Sequence, residues 1–168
     1  MDSKTFTNVK RSGSLRSTIG VHMRQFLTPV IAGMVALLIS SAGHAEIKTE
    51  VTEYKQGGTS LQGFLAYDAS VKGKRPAILI VHDWMGMGDY VKDRAKEFAS
   101  KGYVAFAVDI YGKDGQPKDQ KEAASTAGKY KDNRKLMRER AKAAFDLVKA
   151  KSFVDGNKIV AIGYCCRT

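Results

Sequence analysis

Apolar and polar positions recur along this chain with two different periods, and the change of period separates its elements. From Ile47 to Glu53 the stretch IKTEVTE alternates at period two, with Ile47, Thr49, Val51 and Glu53 on one side. Gly57-Gly58 supplies a turn and Leu61 to Tyr67 resumes the alternation, which predicts an antiparallel hairpin. RPAILIVHD then carries an unbroken apolar run, Ala77 to Val81, bounded by Pro76 and by His82-Asp83. A run that is apolar on both faces suits a central parallel strand with helices above and below it. In WMGMGDYVKDRAKEFASKGY the period lengthens. Gly86 and Gly88 form a loop and Asp89 is a candidate N-cap. Val91, Ala95, Phe98 and Ala99 share a helical face that stops before Gly102.

VAFAVDI predicts a second buried parallel strand, and YGKDGQPKDQ a loop rich in turn formers. A helical stretch follows from about Lys118 to Lys151, with a break expected near Gly128. Leu136, Ala144, Leu147 and Val148 belong to its buried face. A third core strand is expected over Lys158 to Ile162. Hairpin, then β-α-β-α-β, predicts an α/β fold. Its sheet is doubly wound and mostly parallel, with right-handed crossovers and an N-terminal antiparallel hairpin.

The first 45 residues stand outside this pattern. From Met23 one basic residue, Arg24, leads an apolar run from Phe26 to Ile39, and the small-residue stretch Ser40-Ser41-Ala42-Gly43-His44-Ala45 follows. That is the layout of a secretory signal, with Gly43 and Ala45 at −3 and −1 of a cleavage site. The run is shorter than the roughly 20 residues a transmembrane helix needs. The expected organisation is therefore an upstream extension over 1–22, a signal peptide over 23–45 and a partial catalytic domain over 46–168. Export to the periplasm or medium follows, without stable membrane insertion once the signal is removed.

Removing residues 1–45 takes five of the 28 basic and one of the 17 acidic residues, so the net charge falls from +11 to +7. Much of the remaining excess lies in KYKDNRKLMRERAKAAFDLVKAK, where acids are interleaved and no aromatic stacking pattern accompanies the charge. A solvated helix face explains this better than a nucleic-acid site, and no nucleic-acid partner is expected. The two cysteines, Cys165 and Cys166, are sequence neighbours, which suits neither a strain-free disulfide nor a metal cluster. The histidines are His22, His44 and His82, two of them before the cleavage site, and no metal or other cofactor is implied.

Chemistry is concentrated where the sequence ends, in KIVAIGYCCRT. An α/β-hydrolase mounts its nucleophile on a tight strand-to-helix turn of the form Gly-x-nucleophile-x-Gly. Gly163-Tyr164-Cys165-Cys166 fits four of those positions, and the fifth is Arg167. Cys165 is then a candidate nucleophile, against the alternative of an inert cysteine closing a core strand. At the end of the first parallel strand, VHDWMG occupies the place from which such folds draw an oxyanion-hole amide. Trp84 is the candidate there, with the residue after the nucleophile, Cys166, as the second donor. His82 and Asp83 do not read as an acid–base pair, because adjacent residues at a strand end point to opposite faces.

RPAILIVHDWMGMGDYVKDRAKEFASKGYVAFAVDIYGK followed by KIVAIGYC resembles the dienelactone hydrolase family, over about Leu61 to Cys165. The resemblance implies hydrolysis of an enol-lactone or similar ester through a Cys-His-Asp triad and an acyl-enzyme. It implies that Cys165 is the nucleophile and that Asp83, where the family usually has glutamate, is the partner of the resting thiol. It also implies that Lys113, where the family's Asp-x-Tyr-x-Arg carries arginine, binds a substrate carboxylate. A solvated loop lysine is the alternative. The expected ligand is a small ester or lactone, with Lys113 hinting at an anionic acyl group.

The triad acid and histidine follow the nucleophile in this fold, and neither follows Cys165 here. The expectation is a sheet truncated after the nucleophile strand by a frameshift, early stop or fragmentary gene, and inactive as written. The rival expectation is a non-catalytic hydrolase-fold fragment or pseudogene product. Redox or metal chemistry at Cys165-Cys166 lacks a supporting cysteine pair or nearby histidine.

Overall fold

The structure, a computed structural model, describes residues 45–164. The expected signal peptide, apart from Ala45, and Cys165 and Cys166 lie outside the described residues. β1 (Ile47–Gln56) and β2 (Thr59–Asp68) pair antiparallel, with Gln56 opposite Thr59 across the Gly57-Gly58 turn. Gly57 takes φ +56°, the left-handed region a side chain disfavours. The face of β1 turned inward is Thr52 and Tyr54, while Val51 is largely exposed.

β3 (Arg75–Val81), α1 (Asp89–Ser100), β4 (Val104–Val108), α2 (Gln120–Asp132), α3 (Arg134–Lys149) and β5 (Val154–Gly163) follow. The sheet order is β1-β2-β4-β3-β5, with β4, β3 and β5 parallel and the hairpin antiparallel to them through β2 and β4. One core lies beneath α1, where Val91, Ala95 and Ala99 meet Phe64, Ala66, Ile78, Ile80, Ala105 and Ala107. The other lies beneath α3, where Ala144 and Val148 meet Leu61, Leu65, Leu79, Phe106 and Val108. Successive positions along each strand feed opposite faces, so continuous apolar runs are what a sheet covered on both sides demands. No described helix is long and apolar enough to cross a membrane.

Three local expectations are corrected. The N-cap of α1 is Gly88, not Asp89. Gly88 takes the extended capping conformation, so Asp89 joins the first turn, where its charge faces the positive end of the helix dipole. The helical break falls at Asn133 rather than Gly128. Asn133 ends α2 and caps α3, its Oδ1 accepting from the Leu136 N–H at 3.1 Å, because a short amide competes with the helix for backbone donors. Gly128 costs only about 1 kcal/mol inside a helix and is absorbed. The third expected core strand, Lys158 to Ile162, falls within β5 but is half-buried to exposed, with Val160 56% exposed. Among the described residues it pairs with β3 alone.

The C-terminus of α1 ends as its sequence suggests. Gly102 (φ +88°) donates to the Ala99 carbonyl at 3.0 Å, Tyr103 donates to the Phe98 carbonyl at 3.2 Å, and the Phe98 and Tyr103 rings meet edge-on. That is the Schellman arrangement with its apolar contact.

One glycine holds the sheet to the core beneath α3. A Cβ on Gly63 of β2 lies 2.1 Å from Cζ of Phe106 and 2.9 Å from the Ala107 carbonyl oxygen. Gly63→Ala is expected to lower unfolding stability by about 1–3 kcal/mol through overpacking. Urea titration checks this, and an unchanged midpoint contradicts it.

Candidate active site

The helix after β3 crosses to one face of the sheet, and the helices after β4 cross to the other. The C-terminal ends of β3 and β4 are therefore a topological switch point, where the departing chains leave a crevice. A pocket of about 900 Å³ occupies it, with Trp84 from the β3 loop, Tyr111 from the β4 loop, Tyr130 from α2, Met137 from α3 and Tyr164 beyond β5 among its lining.

The β4 loop is organised by Asp109, which is fully buried. Its carboxylate accepts from the N–H groups of Gln62 (2.9 Å), Tyr111 (2.9 Å) and Gly112 (2.8 Å), and from Nε2 of Gln116 (2.9 Å). The Tyr54 hydroxyl lies against the Asp109 backbone, donating to its carbonyl and accepting from its N–H. Burial pushes the Tyr54 phenol far up, so it stays protonated. Gln116 also accepts from the Met87 N–H at 2.9 Å, which ties the β3 loop to the β4 loop. Gly86 (φ +83°) leaves room for this contact, since a Cβ there lies 2.3 Å from Gln116 Oε1.

The β3 loop centres on His82, 6% exposed. Its Nδ1 is 2.6 Å from the Asp83 carbonyl oxygen, and its Nε2 accepts from the Ile110 N–H at 3.2 Å. Desolvation holds the imidazole below its ordinary pKa of 6.5. The Asp83 carboxylate accepts from the Met85 N–H at 2.8 Å, closing its own turn. Among the described residues the Trp84 N–H has no hydrogen-bond partner. The Trp84 carbonyl accepts from the Tyr111 hydroxyl at 3.1 Å.

Behind the pocket lies Arg140, buried and without a carboxylate partner among the described residues. It donates to the Ile110 carbonyl and to the Tyr130 hydroxyl, and its guanidinium sits 5.1 Å from the Tyr130 ring. Tyr130 in turn donates to the Tyr111 carbonyl at 2.9 Å and stacks on the Tyr111 ring at 5.0 Å.

The structure thus brings Asp83 and Trp84 together at the pocket, beside Gly163 and Tyr164. It does not bring Lys113 there. The Lys113 ammonium pairs with Glu53 of β1 at 2.6 Å, on an exposed surface, where each charge favours ionisation of the other. Among the described residues no cluster of His, Cys, Asp and Glu could hold a metal. Sequence reasoning passed over His82 as a structural group, and also Asp109, Tyr111, Tyr130 and Arg140. A signal existed for Arg140, which lies four and eight residues before Ala144 and Val148 on the buried stripe of α3.

A mixed sheet with this strand order and a crevice of this kind defines an α/β-hydrolase-type fold. Residues 61–167 match the model of the dienelactone hydrolase family, and the chain belongs to that family. Among solved structures, a dienelactone hydrolase-like promiscuous phosphotriesterase from metagenomic libraries is 34% identical, with a TM-score of 0.67 over 73% of this chain and 50% of that one. Protein usf of Aquifex pyrophilus is 26% identical over 135 residues, 70% of this chain and 51% of that protein. A Bradyrhizobium protein described as a probable 2-oxo-3-(5-oxofuran-2-ylidene)propanoate lactonase is 29% identical over 111 residues, 64% of this chain and 44% of that protein. The chain spans about half the length of the curated relatives it matches.

The buried imidazole sets a pH dependence. Below about pH 6.5 the unfolded chain takes up a proton at this histidine that folded His82 resists. Unfolding free energy therefore falls as pH drops from 6.5 toward 5, by at most about 1.4 kcal/mol per pH unit. Urea titrations across that range check it, and His82→Gln is expected to flatten the slope. A slope that survives in the variant assigns the effect elsewhere.

Proposed function

We propose that this chain carries the nucleophile and oxyanion donors of an exported cysteine hydrolase acting on small anionic esters or lactones. The observation that carries this reading is the register of β5. Gly163 pairs opposite Val81, and the Tyr164 N–H donates to the Val81 carbonyl at 3.1 Å. Cys165 is the next residue in the sequence, and Asp83 and Trp84 begin two residues after Val81.

In the proposed step the Cys165 thiolate attacks the ester carbonyl carbon, the carbonyl π electrons move to oxygen, and the C–O bond then breaks. The leaving oxygen departs as alkoxide or enolate and takes a proton from solvent, leaving an acyl-enzyme that water releases. Backbone N–H groups of Trp84 and Cys166 serve the oxyanion. Asp83 is the proposed partner of the resting thiol. A relative described as a lactonase supports the ester and lactone class.

The proposed anion site is the helical wall of the pocket rather than Lys113. Lys131, Arg134 and Arg138 line it from α2 and α3. None of the three pairs with a carboxylate among the described residues. The export part of the proposal rests on the Met23 to Ala45 segment alone.

One observation favours the non-catalytic alternative. His82 is the histidine of the described residues, and both its nitrogens are engaged, so it does not serve as the general base. The 168-residue chain is therefore expected to release about one equivalent of 4-nitrophenolate from 4-nitrophenyl acetate, at a rate rising with the thiolate fraction, without sustained turnover. Cys165→Ser abolishes the burst and Cys166→Ser keeps it. A burst that persists in Cys165→Ser overturns the proposal.

A further inference from the structure

We propose that His82 is a positioning residue, which orients the Asp83–Trp84 peptide so that the Trp84 N–H is presented as an oxyanion donor. This rests on the hydrolase reading of Trp84, but its geometry lies wholly within the described residues. The Ile110 N–H is a donor with no choice of role, so Nε2 of His82 must offer its lone pair. The ring is then the Nδ1–H tautomer, and Nδ1 donates to the Asp83 carbonyl oxygen at 2.6 Å. The Gly86 N–H reaches the same carbonyl at 3.2 Å.

No peptide bond here is cis, so the carbonyl of Asp83 and the N–H of Trp84 point in opposite directions from one rigid plane. Two donors hold the carbonyl, one of them on a buried ring, and the N–H faces away from that ring. The next peptide is fixed as well, because the Tyr111 hydroxyl donates to the Trp84 carbonyl. The His82 ring itself is packed edge-on against Tyr111, with centroids 4.5 Å apart. An oxyanion donor contributes only when it is already aimed before charge develops. His82 supplies that aim without touching the substrate.

The test compares two reactions of the same thiol in the full chain. Acylation by 4-nitrophenyl acetate builds an oxyanion, whereas alkylation by iodoacetamide at a saturated carbon builds none. His82→Phe is expected to slow acylation on the order of 100-fold, with alkylation within about twofold of the parent. His82→Asn, whose amide can stand in for the Nδ1 donor, is expected to recover most of the lost acylation rate. A His82→Phe variant that changes both rates equally, or neither, overturns the inference and leaves the Cys165 reading intact. Failure of that reading shows differently, as acylation that survives in Cys165→Ser. Long-range 1H–15N spectra of the parent chain decide the orientation independently of any rate. A protonated Nδ1 and a lone-pair Nε2 support the inference, and the opposite tautomer overturns it.

Discussion

The carboxylate of Asp109 is the constraint from which both the fold and the pocket are built. Four N–H donors converge on one fully buried side chain, from Gln62 of β2, from Tyr111 and Gly112 of its own loop and from Gln116. An unmatched buried donor or acceptor costs about 1–3 kcal/mol, so these segments move together or not at all. The hairpin is thereby locked to the end of β4, and Gln116 extends the lock to the β3 loop through Met87. Downstream of Asp109, the Ile110 N–H fixes His82 and the Tyr111 hydroxyl fixes Trp84. The site is a continuation of the sheet's own polar bookkeeping.

A second buried charge closes the back of the pocket by different means. Among the described residues Arg140 has no carboxylate partner, and its cation meets a carbonyl, a phenol oxygen and an aromatic face. Arg75 is treated alike at the other end of the sheet, where it donates to the Asp68 carbonyl and lies against the Tyr67 and Phe153 rings. A guanidinium is suited to this role because it is weakly hydrated and planar. Arg140 also donates to Tyr130, whose ring carries Tyr111, so the long helix reaches the β3 loop through two aromatic rings.

The fold was legible because burial on two faces writes itself as unbroken apolar runs. Ala77–Val81 and the VAFAV of β4 could hardly be anything but central strands. The helix on the face of Val91, Ala95 and Ala99 was equally plain, and its end at Gly102 carried a backbone reason. Features decided by competition were not legible. Asn133 breaks the helix because its amide finds the Leu136 N–H, which composition alone does not announce. Lys113 has the sequence position of a substrate ligand, but Glu53, sixty residues earlier, takes its ammonium. The Asp109 and His82 networks were hidden for the same reason, since their partners lie far off in sequence and meet only when the sheet forms.

His82 shows why the residue type most readily taken for catalysis can belong to the scaffold. A general base must exchange protons near neutral pH, which calls for a free nitrogen and a pKa close to working pH. His82 lacks the first, because both nitrogens are bonded, and desolvation disfavours its charged form. The same two properties suit it to holding a peptide. Its neutral tautomer keeps its donor on the Asp83 carbonyl wherever the imidazole stays uncharged, which includes all pH values above about 6.5. A thiol reacts as thiolate, and an unperturbed one ionises near pH 8.5. On the proposed reading, His82 therefore keeps its hold on the Asp83–Trp84 peptide at the alkaline pH values where thiolates are favoured.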